Sequence, residues 1–488
     1  REHFFGRDPA TAEMVANLSD RDIWRLNRGG HDAIKVFSAY KRATEHKGHP
    51  TVILVKTVKG YGMGGAGEGQ NITHQKKKLT ADDIRQFRDR FRIPIADEEL
   101  EELPYYKPAE DSEEMRYLKR ARESLGGSYP VRRTECSSPP VPTLDAFSAQ
   151  LESTGDREIS TTMAFVRILT TLLKDKEIGS RVVPIVPDEA RTFGMEGLFR
   201  QVGIYSSVGQ LYTPQDSDQL MYYREDIKGQ ILEEGINEGG SYCSWIAAAT
   251  SYANHGVQMI PFYIYYSMFG FQRIGDFAWA GGDMRARGFL IGGTAGRTTL
   301  AGEGLQHQDG HSLLTATTIP NCRAYDPCYA YEMAVIIQDG LRRMGEDEED
   351  VFYYITAMNE NYAHPALPQG TEEGILRGMY RVREGLHGKM RVQLFGSGTI
   401  LREVLKAADL LESRFRIPAD VWSVTSFSEL RREALHVERW NTLHPEAEAR
   451  RSYVEEALDG VDGPFIAATD YVKTVSDQIR QWVPGRYT

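Results

Sequence analysis

The chain has 488 residues, of which 41% are hydrophobic and 26% are charged, and its formal net charge is −11. At about 150 residues per domain, this length predicts roughly three domains. The acidic balance excludes nucleic acid and an anionic membrane surface as the main partner, because both require a basic face, and there is no apolar run of about 18 residues that could span a bilayer.

The chain contains four cysteines, Cys136, Cys243, Cys322 and Cys328, and no two of them have C-x-x-C spacing. This usage indicates a reducing compartment and no zinc site, so we expect a cytoplasmic protein. The chain begins with Arg1 rather than a methionine and has no signal-like apolar segment at that end. We therefore expect it to be an internal segment of a longer protein.

The first predicted element is a buried strand over residues 51–58 (TVILVKTV), which runs into a glycine-rich loop over residues 60–78. Gly60, Gly62 and Gly65 formally complete the G-x-G-x-x-G fingerprint of dinucleotide-binding proteins. That fingerprint requires a helix to begin at the turn, and a run of glycines opposes helix formation. A nicotinamide-dependent oxidoreductase is thus an alternative that the loop composition disfavours.

Helices are predicted over residues 80–92 and 112–125, and residues 126–142 (GGSYPVRRTECSSPPVP) have the composition of a linker. Beyond it, an amphipathic helix capped by Ser160 or Thr161 opens a region in which strands alternate with helices. The predicted strands are Val182–Val186, 258–265, 288–292 and 351–356, and the predicted helices are 238–252, 273–286 and 330–343.

A further unit begins near Leu376, with strands at 391–395, 420–424 and Phe465–Ala468 and a helix at 400–411. Alternation of strand and helix predicts parallel sheets with helices on both faces. We therefore predict an α/β protein with doubly wound sheets, in which ligands bind beyond the carboxyl ends of strands.

Several unusual side chains follow predicted strands and are expected to share one pocket. Asp188 and Glu189 follow the first of these strands, Tyr266 and Phe269 follow the second, and the loop at 302–311 follows the third. Adjacent carboxylates at such a position can raise one pKa, although an ion pair with Arg191 is the plainer interpretation.

Glu238 lies at the start of an apolar helix, close in sequence to the aromatic run at 262–271. Burial of a carboxylate costs free energy unless a proton-bearing group meets it, and a nitrogen heterocycle stacked on an aromatic ring would do so. The alternative is that Glu238 caps its own helix, where the dipole favours a negative charge.

Residues 229–240, 265–276 and 302–312 (GEGLQHQDGHS) resemble the pyrimidine-binding domain of the homodimeric pyruvate dehydrogenase family, whose members depend on thiamine diphosphate. The resemblance extends over the whole chain. It implies a thiamine-diphosphate-binding fold in three parts: the end of a diphosphate-binding domain with a linker (1–137), a pyrimidine-binding domain (138–367) and a truncated transketolase-like C-terminal domain (368–488).

The resemblance also assigns roles within the pocket. Glu238 would hold N1′ of the aminopyrimidine, Phe269 would stack on it, and Ile236 would keep the cofactor bent. Glu189 and Asp188 would lie at the cofactor and dimer interface.

His307 would face the substrate, where an imidazole can donate to a developing oxyanion, and Tyr266 would be a further catalytic residue. His307 and His311 also have the i, i+4 spacing of a helical zinc pair, but Gly304 and Gly310 oppose such a helix.

In the first part of the chain, Lys59 would reach the substrate carboxylate, and the loop with Glu68 and His74 would close over the bound intermediate. His74 would assist acetyl transfer to a lipoyl group, and the lysines at 76–78 would attract the acidic lipoyl domain. The alternative is that this charge run is simply a solvated face. Gln70 replaces a basic residue of close relatives, which leaves the charge of the loop open.

The chain lacks the G-D-G motif and the downstream asparagine pair that bind magnesium and diphosphate in thiamine enzymes. The Mg²⁺ ligands are therefore expected outside this segment, with no metal ligand within it. The implied function is oxidative decarboxylation of pyruvate with reductive acetylation of a lipoyl domain of the dihydrolipoyl acetyltransferase component, by a homodimer. A non-catalytic scaffold from a split gene is the remaining alternative, and transketolase is the nearest related activity.

Overall fold

The computed structural model describes residues 1–26, 29–128, 136–187, 190–215, 217–218, 223–300, 304–386 and 391–488. It forms two compact units, Arg1–Val131 and Arg132–Thr488. Within the described residues, no helix has the length and apolar character needed to cross a bilayer.

The first unit is helical in the parts that the structure describes. Its helices are α1 (Pro9–Met14), α2 (Asp20–Arg25), α3 (Ala33–Glu45), α4 (Ala81–Phe91) and α5 (Glu113–Ser124). Sequence-encoded caps set their starts, since the Thr80 hydroxyl accepts from the Asp83 amide while the Asp83 carboxylate accepts from the Thr80 amide. The predicted helices at 80–92 and 112–125 are confirmed as α4 and α5.

The predicted buried strand at 51–58 is wrong. These residues form no strand, and Val52 and Leu54 are 82% and 93% exposed. The segment has the β-branched composition of a strand, but a strand also needs a neighbour to receive its hydrogen bonds. The described part of this unit contains no strand that could pair with it.

The glycine-rich loop that follows is organised around Glu68. Its carboxylate accepts hydrogen bonds from the amides of Gly62 and Gly64, both at 3.2 Å, and forms an ion pair with Arg90 of α4. The Arg90 guanidinium lies 4.7 Å from the centre of the Tyr61 ring. The hydrogen bond from Arg90 holds the pKa of Glu68 below its usual range.

The second unit contains all the strands of the described residues. They are β1 (Glu158–Ile159), β2 (Val182–Val186), β3 (Ile204–Tyr205), β4 (Glu225–Asp226), β5 (Leu232–Glu233), β6 (Ile260–Tyr266), β7 (Phe289–Gly293), β8 (Cys322–Tyr325), β9 (Phe352–Thr356), β10 (Tyr362–Ala363), β11 (Tyr380–Arg383), β12 (Val392–Gly396), β13 (Ala419–Ser423) and β14 (Phe465–Ala468).

Helices lie between these strands. They are α6 (Ser148–Leu151), α7 (Thr161–Lys174), α8 (Glu196–Val202), α9 (Glu238–Ala249), α10 (Ser251–His255), α11 (Gly270–Asp283), α12 (Ser312–Ala316), α13 (Ala330–Gly345), α14 (Glu372–Arg377), α15 (Ile400–Leu410), α16 (Phe427–Leu443), α17 (Tyr453–Ala457) and α18 (Thr474–Asp477). The cap of α7 is Ser160, whose hydroxyl accepts from the Met163 amide at 3.0 Å.

Two main sheets form the frame of this unit. The larger has the order β5-β2-β6-β7-β9-β8 with all strands parallel, and the smaller has the order β11-β13-β12-β14 with only β11 antiparallel. The fold is thus α/β, and the strands predicted in this region are confirmed to within two residues at each end. The buried rings of Phe262 and Phe289 stack at 4.6 Å on neighbouring strands of the larger sheet.

Two predicted helices have different bounds. The helix predicted at 238–252 is interrupted at Thr250, which separates α9 from α10, and the helix predicted at 273–286 begins three residues earlier at Gly270. Gly270 is required at that start, because a Cβ there would lie 2.0 Å from Cε2 of Tyr265. Because α11 begins directly after Phe269, Arg273 lies in the first turn of this helix.

A buried carboxylate joins α13 to the smaller sheet. Glu332 is fully buried, and one of its oxygens accepts from the hydroxyls of Tyr380 and Ser423, each at 2.6 Å. The other oxygen accepts from the amides of Cys328 and Tyr329 at 2.6 and 3.0 Å. Burial raises the pKa of Glu332, and the four donors balance the cost of placing a carboxylate there.

Candidate functional site

A cavity of about 190 Å³ lies beyond the carboxyl ends of β2 and β6. This is the edge of a parallel sheet at which ligands bind. Residues that line the cavity include Pro187, Ile236, Glu238, Tyr266, Phe269, Arg273 and His307. Five residues that the sequence predicted as site residues therefore lie around one cavity.

The segment before α9 brings Glu238 to this cavity. Strand β5 pairs in parallel with β2, and the Glu234 amide donates to the Val186 carbonyl at 2.9 Å, which carries the chain past the end of β2. Gly235 then takes φ +73°, a conformation that favours glycine. The Asn237 side chain accepts from the Gly240 amide at 3.1 Å and caps α9.

The Glu238 carboxylate is partly buried and is balanced by an arginine. Its side chain is 17% exposed, and its Oε1 accepts from Nη1 of Arg273, whose own side chain is 47% exposed. Asn237 is the cap, and Glu238 occupies the first turn of α9, where the helix dipole favours a negative charge. The expectation that the carboxylate needs a proton-bearing partner is thus met, within the protein itself, by a guanidinium.

Three rings line the cavity together. Tyr266 and His307 approach edge to face with centres 5.0 Å apart, Phe269 and His307 do so at 5.4 Å, and Tyr266 and Phe269 at 6.2 Å. Edge-to-face contacts of this kind fix ring orientation. The Phe193 ring supports Tyr266 from behind at 5.3 Å.

His307 carries a buried Nδ1 for which the described residues provide no hydrogen-bond partner. His307 itself lines the cavity, so its imidazole is close to any molecule bound there. His307 ends a single short turn (Leu305–His307), whereas His311 precedes α12 and its Nε2 lies 3.3 Å from Nε2 of Gln272. The helix that a zinc pair requires is absent here, and no metal-binding cluster occurs among the described residues.

The remaining predicted site residues form two pairs. Asp188 and Glu189 fall outside the described residues. Lys59 and His74 belong to the first unit, where both side chains are exposed, and His74 lies in the short turn Asn71–Gln75.

Arg273 is the site residue that sequence reasoning missed. Its guanidinium lies 4.5 Å from the centre of the Phe269 ring, in addition to its contact with Glu238. The sequence spacing did indicate this contact, since Arg273 follows Phe269 by four residues and residues four apart are neighbours on one helix face. Only the later predicted start of α11 concealed this proximity.

Comparison with known proteins identifies the two parts of the second unit. The family described as the pyruvate dehydrogenase E1 component middle domain matches residues 140–365, and the transketolase-like TK C-terminal domain matches residues 378–486. Two transketolases of known structure have the same fold. The enzyme from Campylobacter jejuni has a TM-score of 0.60 at 16% identity, covering 94% of this chain and 61% of that one, and the enzyme from Leishmania mexicana has a TM-score of 0.55 at 15% identity, covering 95% and 60%.

Curated relatives are much more similar in sequence. The pyruvate dehydrogenase E1 component of Pseudomonas aeruginosa is 65% identical over 487 residues, and that of Escherichia coli K12 is 57% identical over 487 residues. These matches cover 100% and 99% of this chain but 55% of each relative, so the chain spans about half the length of the relatives it matches. With this identity along its whole length, the chain belongs to the pyruvate dehydrogenase E1 component family.

Proposed function

We propose that this chain is part of a thiamine-diphosphate-dependent pyruvate dehydrogenase of the acetyl-transferring type. The observation that carries the proposal is the single cavity shared by Glu238, Ile236, Phe269 and His307. Two properties of the chain support it: the high identity to pyruvate dehydrogenase E1 components and the transketolase-like fold.

The residues around the cavity suit the pyrimidine half of thiamine diphosphate. Glu238 offers a carboxylate to a ring nitrogen, Phe269 offers a flat apolar face, and Ile236 is 70% exposed and free to contact a ligand. When bound, the cofactor supplies an electron sink for the charge that decarboxylation creates. The protein would orient it and exchange a proton at the Glu238 carboxylate.

His307 and Tyr266 would serve the substrate. His307 lines the cavity, and its imidazole would hydrogen-bond the pyruvate oxygen that gains charge. Tyr266 lies edge-on to that imidazole and would hold it in position. Asp188 and Glu189 remain proposed cofactor and interface residues.

The exposed side chains of the first unit would serve the second half of the reaction. We propose that Lys59 contacts the substrate carboxylate and that His74 assists acetyl transfer to a lipoyl domain of the dihydrolipoyl acetyltransferase component. The protein would act as a homodimer in the cytoplasm, with Mg²⁺ ligands from outside this segment.

The nicotinamide alternative is disfavoured by a specific feature of the first unit. Gly64–Ala66 forms one short 3₁₀ turn, and no α-helix starts at the Gly60 loop. A dinucleotide fold needs a helix N-terminus at this point to bind pyrophosphate.

Replacing Glu238 with glutamine in the full-length protein tests the proposal. An amide cannot exchange a proton with the pyrimidine as a carboxyl can, so we expect pyruvate turnover to fall by about 100-fold or more. The matched control is Glu234→Gln, which alters a carboxylate four residues earlier that binds Ser244 at 2.6 Å and should leave turnover close to the original rate. Near-normal turnover by Glu238→Gln would refute the assignment, and inactive wild-type protein would favour the scaffold alternative.

A further inference from the structure

One short segment of the transketolase-like region contacts the loop that carries His307. The buried carboxylate of Asp470 accepts hydrogen bonds from two consecutive backbone amides of this loop. Its Oδ2 accepts from the Arg297 amide at 2.8 Å, and the Thr298 amide lies 3.1 and 3.0 Å from Oδ1 and Oδ2. Gly296 takes φ +84°, and a Cβ there would collide with Oδ2 of Asp470. The carboxylate thus fixes the backbone shortly after β7.

The Arg297 side chain strengthens this contact from the opposite direction. Its Nε donates to the Asp470 carbonyl and its Nη2 donates to the Tyr471 carbonyl, both at 2.9 Å. On the other side of the histidine, the Val472 amide donates to the Gly310 carbonyl at 2.9 Å. One segment of three residues therefore holds the chain both before and after the histidine.

The two held points are also bonded to each other. The Asp309 amide donates to the Gly296 carbonyl at 2.9 Å. The fully buried carboxylate of Asp309 accepts from the amides of His311 and Ser312 at 3.0 and 2.9 Å. His307 ends its short turn only two residues before Asp309. The place of its imidazole is therefore set by this frame as well as by the rings that it contacts in the cavity.

We propose that Asp470 is a positioning residue, which holds the loop so that the imidazole of His307 meets the substrate oxygen. The inference rests on the proposed function, in which His307 hydrogen-bonds the pyruvate oxygen that gains charge, and it deepens that function. Asp470 is not among the described residues that line the cavity, so it acts through the histidine. A carboxylate suits this role, because hydrogen bonds to an ionised acceptor are stronger than those between neutral groups.

The expected effect follows from the cost of misplacing a hydrogen-bond donor. Loss of a donor to a developing oxyanion lowers kcat by about 100-fold to 1,000-fold, and a displacement of about 1 Å can cost about 100-fold. Asp470→Ala should therefore lower kcat for pyruvate by about tenfold to 100-fold. Asp470→Asn keeps an acceptor oxygen without the charge and should be intermediate. The dissociation constant of thiamine diphosphate with Mg²⁺ should not change, because Glu238 and Phe269 keep their places.

The test is a double-mutant cycle in the full-length protein with saturating cofactor. The values of kcat and KM are measured with pyruvate and an artificial electron acceptor for the wild type, Asp470→Ala, His307→Ala and the double variant. If Asp470 acts through His307, its removal from the His307→Ala protein should change kcat by less than about twofold. The matched control is Asp175→Ala, which removes a carboxylate that accepts from the amides of Glu177 and Ile178 at 2.8 and 3.0 Å and should leave kcat unchanged.

An equal loss of kcat in both backgrounds would show a merely structural aspartate and overturn this inference, leaving the proposed function intact. An unchanged kcat of Asp470→Ala, or a weakened cofactor affinity in titration calorimetry of the apoprotein, would do the same. Urea denaturation checks that each variant is folded, and Asp470→Asn takes the place of Asp470→Ala in the cycle if the alanine variant is not. Absence of pyruvate turnover by the wild type would overturn the proposed function and this inference with it.

Discussion

The Glu238 carboxylate shows how much of this site depends on single side chains. It lies in the first turn of α9 and forms an ion pair with Arg273. In the proposed function this carboxylate exchanges a proton with a heterocycle, which requires a partner that can be replaced. A partly exposed arginine satisfies that need better than a buried lysine or a metal ion would.

His74 provides a residue-scale prediction about the second half-reaction. In the full-length protein, His74→Ala should leave decarboxylation with an artificial electron acceptor within about threefold of the wild-type rate and lower reductive acetylation of a lipoyl domain by about tenfold to 100-fold or more. The exposed position of His74 in the first unit motivates this separation.

Parallel rate assays on one preparation make the comparison, with Lys47→Ala as a control for truncation of an exposed polar side chain in the same unit. If both half-reactions fall by the same factor, the proposed role of His74 in acetyl transfer is wrong.

For single residues, the sequence identified the side chains that line the cavity but not the residues that they contact. Glu238, Phe269 and His307 could be selected because their residue types and spacing match a known family. The pairing of Glu238 with Arg273 depends on where α11 begins, and that start is set by the packing of Tyr265 against Gly270. Such a contact cannot be read from either segment alone.

At the scale of elements, the end of β8 carries a buried carboxylate that joins three segments. Oδ1 of Asp326 accepts from the Thr356 hydroxyl of β9 at 2.6 Å and from the Tyr471 hydroxyl at 3.2 Å. Burial raises the pKa of Asp326 to about 6 from an ordinary value of 3.8. The folded protein therefore binds this proton more tightly than the unfolded chain does.

Protonated Asp326 therefore contributes to the free energy of unfolding. This contribution is complete below about pH 4, is lost as the pH rises from about 4 to about 6, and amounts to roughly 2–3 kcal/mol. Asp326→Asn keeps the acceptor oxygen and removes the titration. The free energy of unfolding of the wild type should thus fall relative to the variant across this range.

Urea denaturation at several pH values between 4 and 7 measures the difference, and Asp276→Asn, at an exposed aspartate of α11, is the control. A difference between wild type and Asp326→Asn that does not change with pH would contradict the expected shift.

Two segments with similar composition show why elements are only partly predictable. Residues 51–58 and Val182–Val186 are both rich in β-branched side chains, yet only the second is a strand. Val182–Val186 pairs with β5 on one side and β6 on the other. Strand formation depends on such distant partners, whereas helices such as α4 are set by caps within their own sequence.

At the scale of the whole molecule, the domain boundaries predicted at 137/138 and 367/368 remain predictions. The two compact units divide at 131/132, and the family matches cover 140–365 and 378–486. The contacts that make residues after 132 one compact unit, such as those of Glu332, are invisible in the sequence because they join residues far apart in the chain.

A polypeptide of residues 1–488 alone should show no measurable Mg²⁺-dependent binding of thiamine diphosphate. The sequence lacks the G-D-G motif, so this polypeptide would offer the pyrimidine contacts without the ligands for metal and diphosphate. Titration calorimetry with cofactor and Mg²⁺ is the measurement, with the full-length protein as the positive control. Micromolar binding by the polypeptide would mean that it contains a phosphate site of its own.

The Glu332 carboxylate limits how freely C-terminal domains can be exchanged between relatives. Two of its four hydrogen-bond donors, Tyr380 and Ser423, belong to the predicted C-terminal domain, and the other two are backbone amides beside Glu332 itself. A chimaera that joins residues 1–367 to a domain without these two hydroxyls would bury a carboxylate with half of its donors missing. Successful recombination at this junction therefore requires that the new C-terminal domain supplies a tyrosine and a serine at those positions.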